Sequence, residues 1–266
     1  MSQFDRAWYW ESRHGSRAVL GTLLITCAMF VAQVFLHASG RGGWMIRALA
    51  LSADGIRHGR IWQVVTYLLL HGGFGHLLMN MVGLAMLGPE VERRLGTVHF
   101  VALYLGSGVL GGIGYLLIEP RFPCVGASGS VFGVMAAFAA LYPRRPMMLV
   151  FLPFFSLPAW LMVLAIVALE LGYLAQGVQG GIAHAAHLAG AAAGIVYART
   201  ATGALDGLNP LRRLAAARPR RAGPPADGRA LDELLDKISR SGLHSLTPAE
   251  RRRLEEASRR LRGWER

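Results

Sequence analysis

Polar side chains recur at the starts of apolar stretches in this 266-residue chain, where a membrane or a core would ordinarily exclude them. The stretch HGGFGHLLMNM places His76 and Asn80 four residues apart on one helix face, with His71 just ahead. VGASGSVFG puts Ser128 between Gly126 and Gly129 at the mouth of another apolar run, and HAAHLAGAAAG puts His184 and His187 three apart. A serine hydroxyl becomes a nucleophile when a histidine takes its proton, and the same histidine can protonate a leaving amine. Negative charge developing on the substrate oxygen needs donors, which the Ser128 backbone N–H at a helix start and the His76 and Asn80 side chains could supply. The chemistry that fits is acyl transfer. No aspartate lies near these residues, so a Ser-His pair is expected rather than a triad; spacing alone leaves His184 and His187 open as its base.

These residues must be positioned by membrane helices. The chain is 53% hydrophobic and 17% charged, with a mean hydropathy of +0.37, a membrane composition. Six apolar stretches, about 18–38, 70–90, 97–118, 127–142, 149–174 and 182–200, approach the roughly 20 residues a spanning helix needs. The first reads as a retained helix, not a removed signal peptide. Arg17, Arg93, Arg94, Arg144, Arg145 and the cluster from Arg199 to Arg221 fall on one side of a six-span core. Both termini are therefore expected in the cytoplasm. Spans two, four and six then run the same way, and His76, Asn80, Ser128 and His187 share a depth within about two turns of their starts. Any one of them alone has a packing explanation. At matched depth they can meet in one cavity.

The glycines supply the approach. Gly190 and Gly194 form a GxxxG step directly after His187, and Gly129 and Gly133 form another after Ser128. Close contact of these faces would bring the serine under the imidazole. Phe132, one turn along from Ser128, could stack on that ring, and Gly126 and Gly129 leave the hydroxyl unobstructed. Glu170, near the outer end of span five, reads as an interfacial carboxylate, with a gate or proton path as the alternative.

Around this core, residues 1–17 form a cytoplasmic interfacial lead-in, 18–200 the membrane core, 201–229 a basic Pro/Gly-rich linker, and 230–266 a small helical hairpin. In the hairpin Leu231, Leu234, Leu235 and Ile238 recur at one-face spacing, and Leu254, Ala257 and Leu261 line a second helix that Thr247, Pro248 and Glu250 can start. The formal charge of +12 is concentrated beside the last span, so anionic membrane lipids account for it and nucleic acid is not an expected partner. Cys27 and Cys124 are isolated and make neither a disulfide framework nor a metal site.

At these positions the sequence resembles the rhomboid family of intramembrane serine proteases. The HxxxxHxxxN pattern at His71, His76 and Asn80, GASG at Gly126 to Gly129, and AHxxGxxxG at Ala186, His187, Gly190 and Gly194 occur in the family's order, over about residues 18–200. The resemblance implies an all-α, six-transmembrane-helix bundle that hydrolyses peptide bonds in or beside transmembrane helices of substrate proteins, without metal or organic cofactor. It assigns the nucleophile to Ser128, the base to His187, the oxyanion-hole side chains to His76 and Asn80, and support of the base to Phe132, with His71 structural. Where the family often carries Trp-Arg, this chain has Trp62 and Gln63, and Arg60 is near enough to substitute. The tail is similar to a cytoplasmic segment of some bacterial members and implies a multi-pass protein of a bacterial plasma membrane. The alternatives are a catalytically silent relative that binds or escorts membrane proteins, and a transporter.

Overall fold

The computed structural model describes residues 16–149, 152–177, 182–208 and 226–254. The lead-in before Ser16, most of the linker, and the expected positions Ala257 and Leu261 lie outside them. The chain forms two compact units, Met1–Leu205 and Asp206–Arg266.

The first unit is a predominantly α-helical, polytopic bundle. In chain order it contains α1 (Arg17–Ala38), α2 (Gly42–Leu49), α3 (Ala53–Arg57), α4 (Gln63–Thr66) with a 3-10 turn (Tyr67–Leu69), α5 (Phe74–Leu95), α6 (Thr97–Ile118), α7 (Ser128–Leu141), β1 (Pro146–Leu149), β2 (Leu152–Pro158), α8 (Ala159–Ala175) and all but the last three residues of α9 (His184–Leu208). Among the described residues, α1 and α6 are long and apolar enough to cross a membrane. The segment Gln63–Leu69 and α5, bent by 95°, add a third span if taken together, while α7 and α8 are shorter apolar helices. Helix α1 buries Val19 and Thr26 and leaves Leu20, Leu24, Val31 and Phe35 exposed, a surface suited to lipid.

Helix α7 lies at the centre. Ser130, Val134, Ala136 and Ala137 are wholly buried, as are Phe100 and Leu103 of α6, Leu84 and Val91 of α5 and Ala198 of α9. Lipid offers little hydrophobic drive for helix association, so close backbone approach must carry it. A Cβ on Gly190 would run into the carbonyl oxygen of Gly129, and one on Gly194 into that of Gly133. The two GxxxG steps therefore face each other in parallel register, α7 against α9.

Carboxylates tie helix ends to distant helices. Glu92, buried in α5, accepts the Ala18 and Val19 backbone N–H at 3.1 and 3.0 Å, satisfying the open donors at the start of α1. Glu119, just past α6, accepts the Ala185 N–H at 2.7 Å at the start of α9. Glu90 is buried between Arg93, at 2.7 Å, and Arg145, at 2.8 Å.

One expected span is corrected. The run 149–174 does not begin as a helix: Pro146–Leu149 and Leu152–Pro158 pair as an antiparallel hairpin, with Pro146 opposite Pro158, and helix starts only at Ala159. Pro153 and Pro158 explain it, because proline removes a helical donor and pushes the preceding residue to extended backbone.

In the second unit, α10 (Ala226–Ser241) is followed by Gly242, a 3-10 turn (Leu243–Ser245) and helical residues 248–254. Leu234 is buried and Leu235 exposed. Lys237 Nζ reaches both Glu250 carboxylate oxygens at 2.9 Å. Thr247 and Glu250 form a capping box: Glu250 Oε2 accepts the Thr247 N–H at 2.8 Å, and Thr247 Oγ1 accepts the Glu250 N–H at 3.3 Å.

Candidate active site

Ser128 is the first residue of α7, so its N–H has no helical carbonyl one turn behind it and is available to a ligand. Its hydroxyl lies 2.8 Å from His187 Nε2. His187, in the first turns of α9, is almost fully buried. The Phe132 ring stacks on its imidazole, with centroids 4.1 Å apart and planes 13° from parallel. Phe132 thus sits on His187, the ring it was expected to meet.

His76 and Asn80, both on α5, face the same space. Asn80 is buried and its Nδ2 donates to the His76 carbonyl at 2.9 Å. The His76 ring abuts Gly126, whose φ of +127° belongs to the region glycine tolerates and where a Cβ would sit 2.5 Å from the ring. Any side chain at position 126 would displace His76. His71 is fully buried behind it, its ring 5.1 Å from that of His76 in an edge arrangement. Its backbone is gripped by Gln33 of α1, whose Nε2 donates to the His71 carbonyl at 2.6 Å and whose Oε1 accepts the His71 N–H at 3.1 Å.

Ser128, His187, His76 and Asn80 all line one cavity of about 720 Å³, together with Tyr115, Glu119, Phe122 and Cys124. Burial, and then the nearby Glu119 charge, push the Cys124 thiol up to about 12. It stays protonated at neutral pH and does not compete with Ser128 as a nucleophile.

The loop ahead of the site is held by Gln63, which is wholly buried. Its Oε1 accepts the Ser52 N–H at 3.2 Å and its Nε2 donates to the Arg47 carbonyl at 3.0 Å. Arg60 also reaches the Arg47 carbonyl, at 2.9 Å. Glutamine at this position thus joins three segments with a neutral amide, and Arg60 bonds to one of the same carbonyls.

Sequence reasoning missed one partner of the site. Glu170 of α8 accepts from both histidines: Oε1 lies 3.0 Å from His187 Nδ1 and Oε2 lies 2.6 Å from His184 Nδ1. The Ser-His pair was expected because no aspartate lies near these residues; the carboxylate that reaches His187 is a glutamate on a neighbouring helix. His184, buried, stacks on Tyr173 with centroids 5.4 Å apart. Glu170 with Tyr173, and His184 with His187, are each three apart on consecutive helices, but spacing within a helix does not show that these two faces meet. Among the described residues, no group of three or more His, Cys, Asp or Glu side chains is arranged to hold a metal ion.

Comparison with known proteins matches the Rhomboid domain over residues 58–203, more than half of the chain. The chain belongs to the rhomboid family. A putative rhomboid protease, YdcA, of Bacillus subtilis is 41% identical over 85 residues, 32% of this chain and 43% of that protein. RHOMBOID-like protein 12, mitochondrial, of Arabidopsis thaliana is 29% identical over 220 residues, 74% of this chain and 63% of its own length. Rhomboid protease GluP of Bacillus subtilis is 37% identical over 92 residues, 34% of this chain and 18% of that protein. The rhomboid chain thus spans less than two thirds of each of these relatives, and they come from bacteria and eukaryotes alike. Residues 227–260 match a family of unknown function (DUF6576).

Proposed function

We propose that this rhomboid is an intramembrane serine endopeptidase that hydrolyses peptide bonds in or near transmembrane helices of protein substrates. The observation that carries the reading is the 2.8 Å approach of His187 Nε2 to Ser128 Oγ on the wall of a cavity shared with His76 and Asn80. In the proposed reaction His187 takes the hydroxyl proton as Ser128 Oγ attacks the scissile carbonyl. The Ser128 N–H, His76 and Asn80 donate to the oxyanion, and His187 returns the proton to the leaving amine. Water, activated by His187 in turn, releases the acyl group. A substrate helix must unwind locally, because its amides are otherwise paired and its carbonyls shielded.

The same reading orients the chain. Six spans place both termini in the cytoplasm of a bacterial plasma membrane, open the cavity toward the outer face, and put a helical hairpin of residues 230–266 on the cytoplasmic side. The arginines flanking the bundle support this arrangement. Purified protein in liposomes with a labelled single-span substrate tests it. Ser128→Ala and His187→Ala are each expected to lower the cleavage rate by roughly a thousandfold or more. Cleavage that persists unchanged in both variants overturns the protease reading, and substrate binding without cleavage by the parent favours a silent family member.

A further inference from the structure

Two imidazoles converge on one carboxylate beside Ser128. Glu170 Oε1 and Oε2 lie 3.0 Å from His187 Nδ1 and 2.6 Å from His184 Nδ1, and all three side chains are largely withdrawn from solvent, 13% exposed for Glu170, 10% for His187 and 3% for His184. An ionised carboxylate only accepts, so each histidine must present Nδ1–H to it. In the neutral imidazole that tautomer leaves His187 Nε2 as the acceptor, the form able to take the proton of the Ser128 hydroxyl 2.8 Å away. We propose that Glu170 is the positioning residue of the base, making Ser128, His187 and Glu170 a hydrogen-bonded chain, and that His184 holds the carboxylate in place through its other oxygen. This inference rests on the protease reading and adds to it a residue on α8, a helix that carries neither the nucleophile, the base nor the oxyanion donors.

The proton inventory is closed. The serine proton moves to Nε2, the Nδ1 proton stays on His187, and Glu170 remains ionised throughout, its charge facing the imidazolium that forms. Packing matches the hydrogen bonds: Phe132 covers the face of His187 and Tyr173 that of His184, so both rings are fixed in plane as well as in tautomer. Glu119 fixes the start of the helix that bears them, through the Ala185 N–H. Neither imidazole is left to choose its own rotamer.

The test compares the full chain with Glu170→Gln, Glu170→Asp and His184→Phe in detergent, reading kcat and KM for a single-span reporter, the rate of Ser128 labelling by a fluorophosphonate, and thermal unfolding. Glutamine keeps the shape but offers one acceptor where the histidines need two. It is expected to lower kcat and labelling together by roughly tenfold or more, with KM and the unfolding temperature little changed. Aspartate should recover part of the loss, and His184→Phe, which keeps a ring against Tyr173, should give a smaller drop. A Glu170→Gln variant within about threefold of the parent in kcat overturns the proposal, as does a loss that follows unfolding and is not relieved by aspartate. A parent that neither cleaves nor labels overturns the protease reading instead. The bond is then decided by proton NMR, where a strongly downfield His187 Nδ1–H that vanishes in Glu170→Gln supports it and one that is absent from the parent refutes it.

Discussion

Glu119 and Glu250 do the same local job, each accepting a backbone N–H at the start of a helix, but they differ in how far the bond reaches. Glu119 spans 66 positions to Ala185, and Glu250 spans three to Thr247. In the membrane core, Glu92 repeats the long pattern to Ala18 and Val19, as does Gln63 to Arg47 and Ser52. Polar groups there are buried or half-buried and fix one segment relative to another. In the C-terminal unit the corresponding bonds are exposed and stay within one turn. A fault in the first kind of contact moves the site, whereas a fault in the second frays a helix end.

The largest break in that contrast comes from the α7–α9 seam. Gly190→Val puts branched carbon where the Gly129 carbonyl already lies. Overpacking a fitted interface costs roughly 1–3 kcal/mol, and here relief requires the helices to part, carrying His187 away from Ser128. Cleavage is expected to fall by roughly a hundredfold or more, with a lower unfolding temperature. Gly172→Ala is the control, because a Cβ there meets nothing within 4 Å. If both variants behave alike, the seam does not position the base.

Gln63→Ala sharpens the comparison at intermediate strength. It leaves the part-buried Ser52 N–H without its acceptor and removes one of two donors from the Arg47 carbonyl, which keeps Arg60. The cost expected for such an unsatisfied group is about 1–3 kcal/mol, read in denaturant or thermal unfolding. Cleavage should fall only severalfold, since Gln63 touches neither Ser128 nor His187. A stability change within about 0.5 kcal/mol, the level of an ordinary surface substitution, would move Gln63 into the local class.

What could be read from residue order follows the same division. The meeting of His76, Asn80, Ser128 and His187 in one cavity was legible, because each lies near the start of its apolar run. So were the GxxxG steps, whose spacing alone puts both glycines on one face. The Glu170 bond was not, because the orientation of α8 relative to α9 decides it and no local pattern records that orientation. The strand pair at Pro146–Pro158 was hidden by hydrophobicity, which is high in a buried strand and a membrane helix alike; the prolines were the signal that outweighed it. Gln63 looked like a lost charge, and only its four neighbouring polar atoms from Ser52, Arg47 and Ala48 show a connecting amide.

The smallest expected effect lies in the C-terminal unit. The Thr247 backbone N–H, and then the Lys237 ammonium and the Thr247 hydroxyl, pull the Glu250 carboxyl from 4.5 down to about 2. A carboxyl that is more acidic folded than unfolded stabilises the fold fully above its unfolded pKa. That contribution is lost as pH falls through the window from about 4.5 to about 2. Amide exchange across 248–254, measured in the full chain, should therefore quicken over that interval. Thr247→Ala removes the hydroxyl that both accepts the Glu250 N–H and donates to its carboxylate. At neutral pH it should speed the same amides roughly two- to tenfold, the worth of one cap, and should leave cleavage by the core unchanged. Glu250→Gln should flatten the acid response, because the amide cannot titrate. An acid response that survives in Glu250→Gln would mean that the capping box does not set the acid stability of this helix.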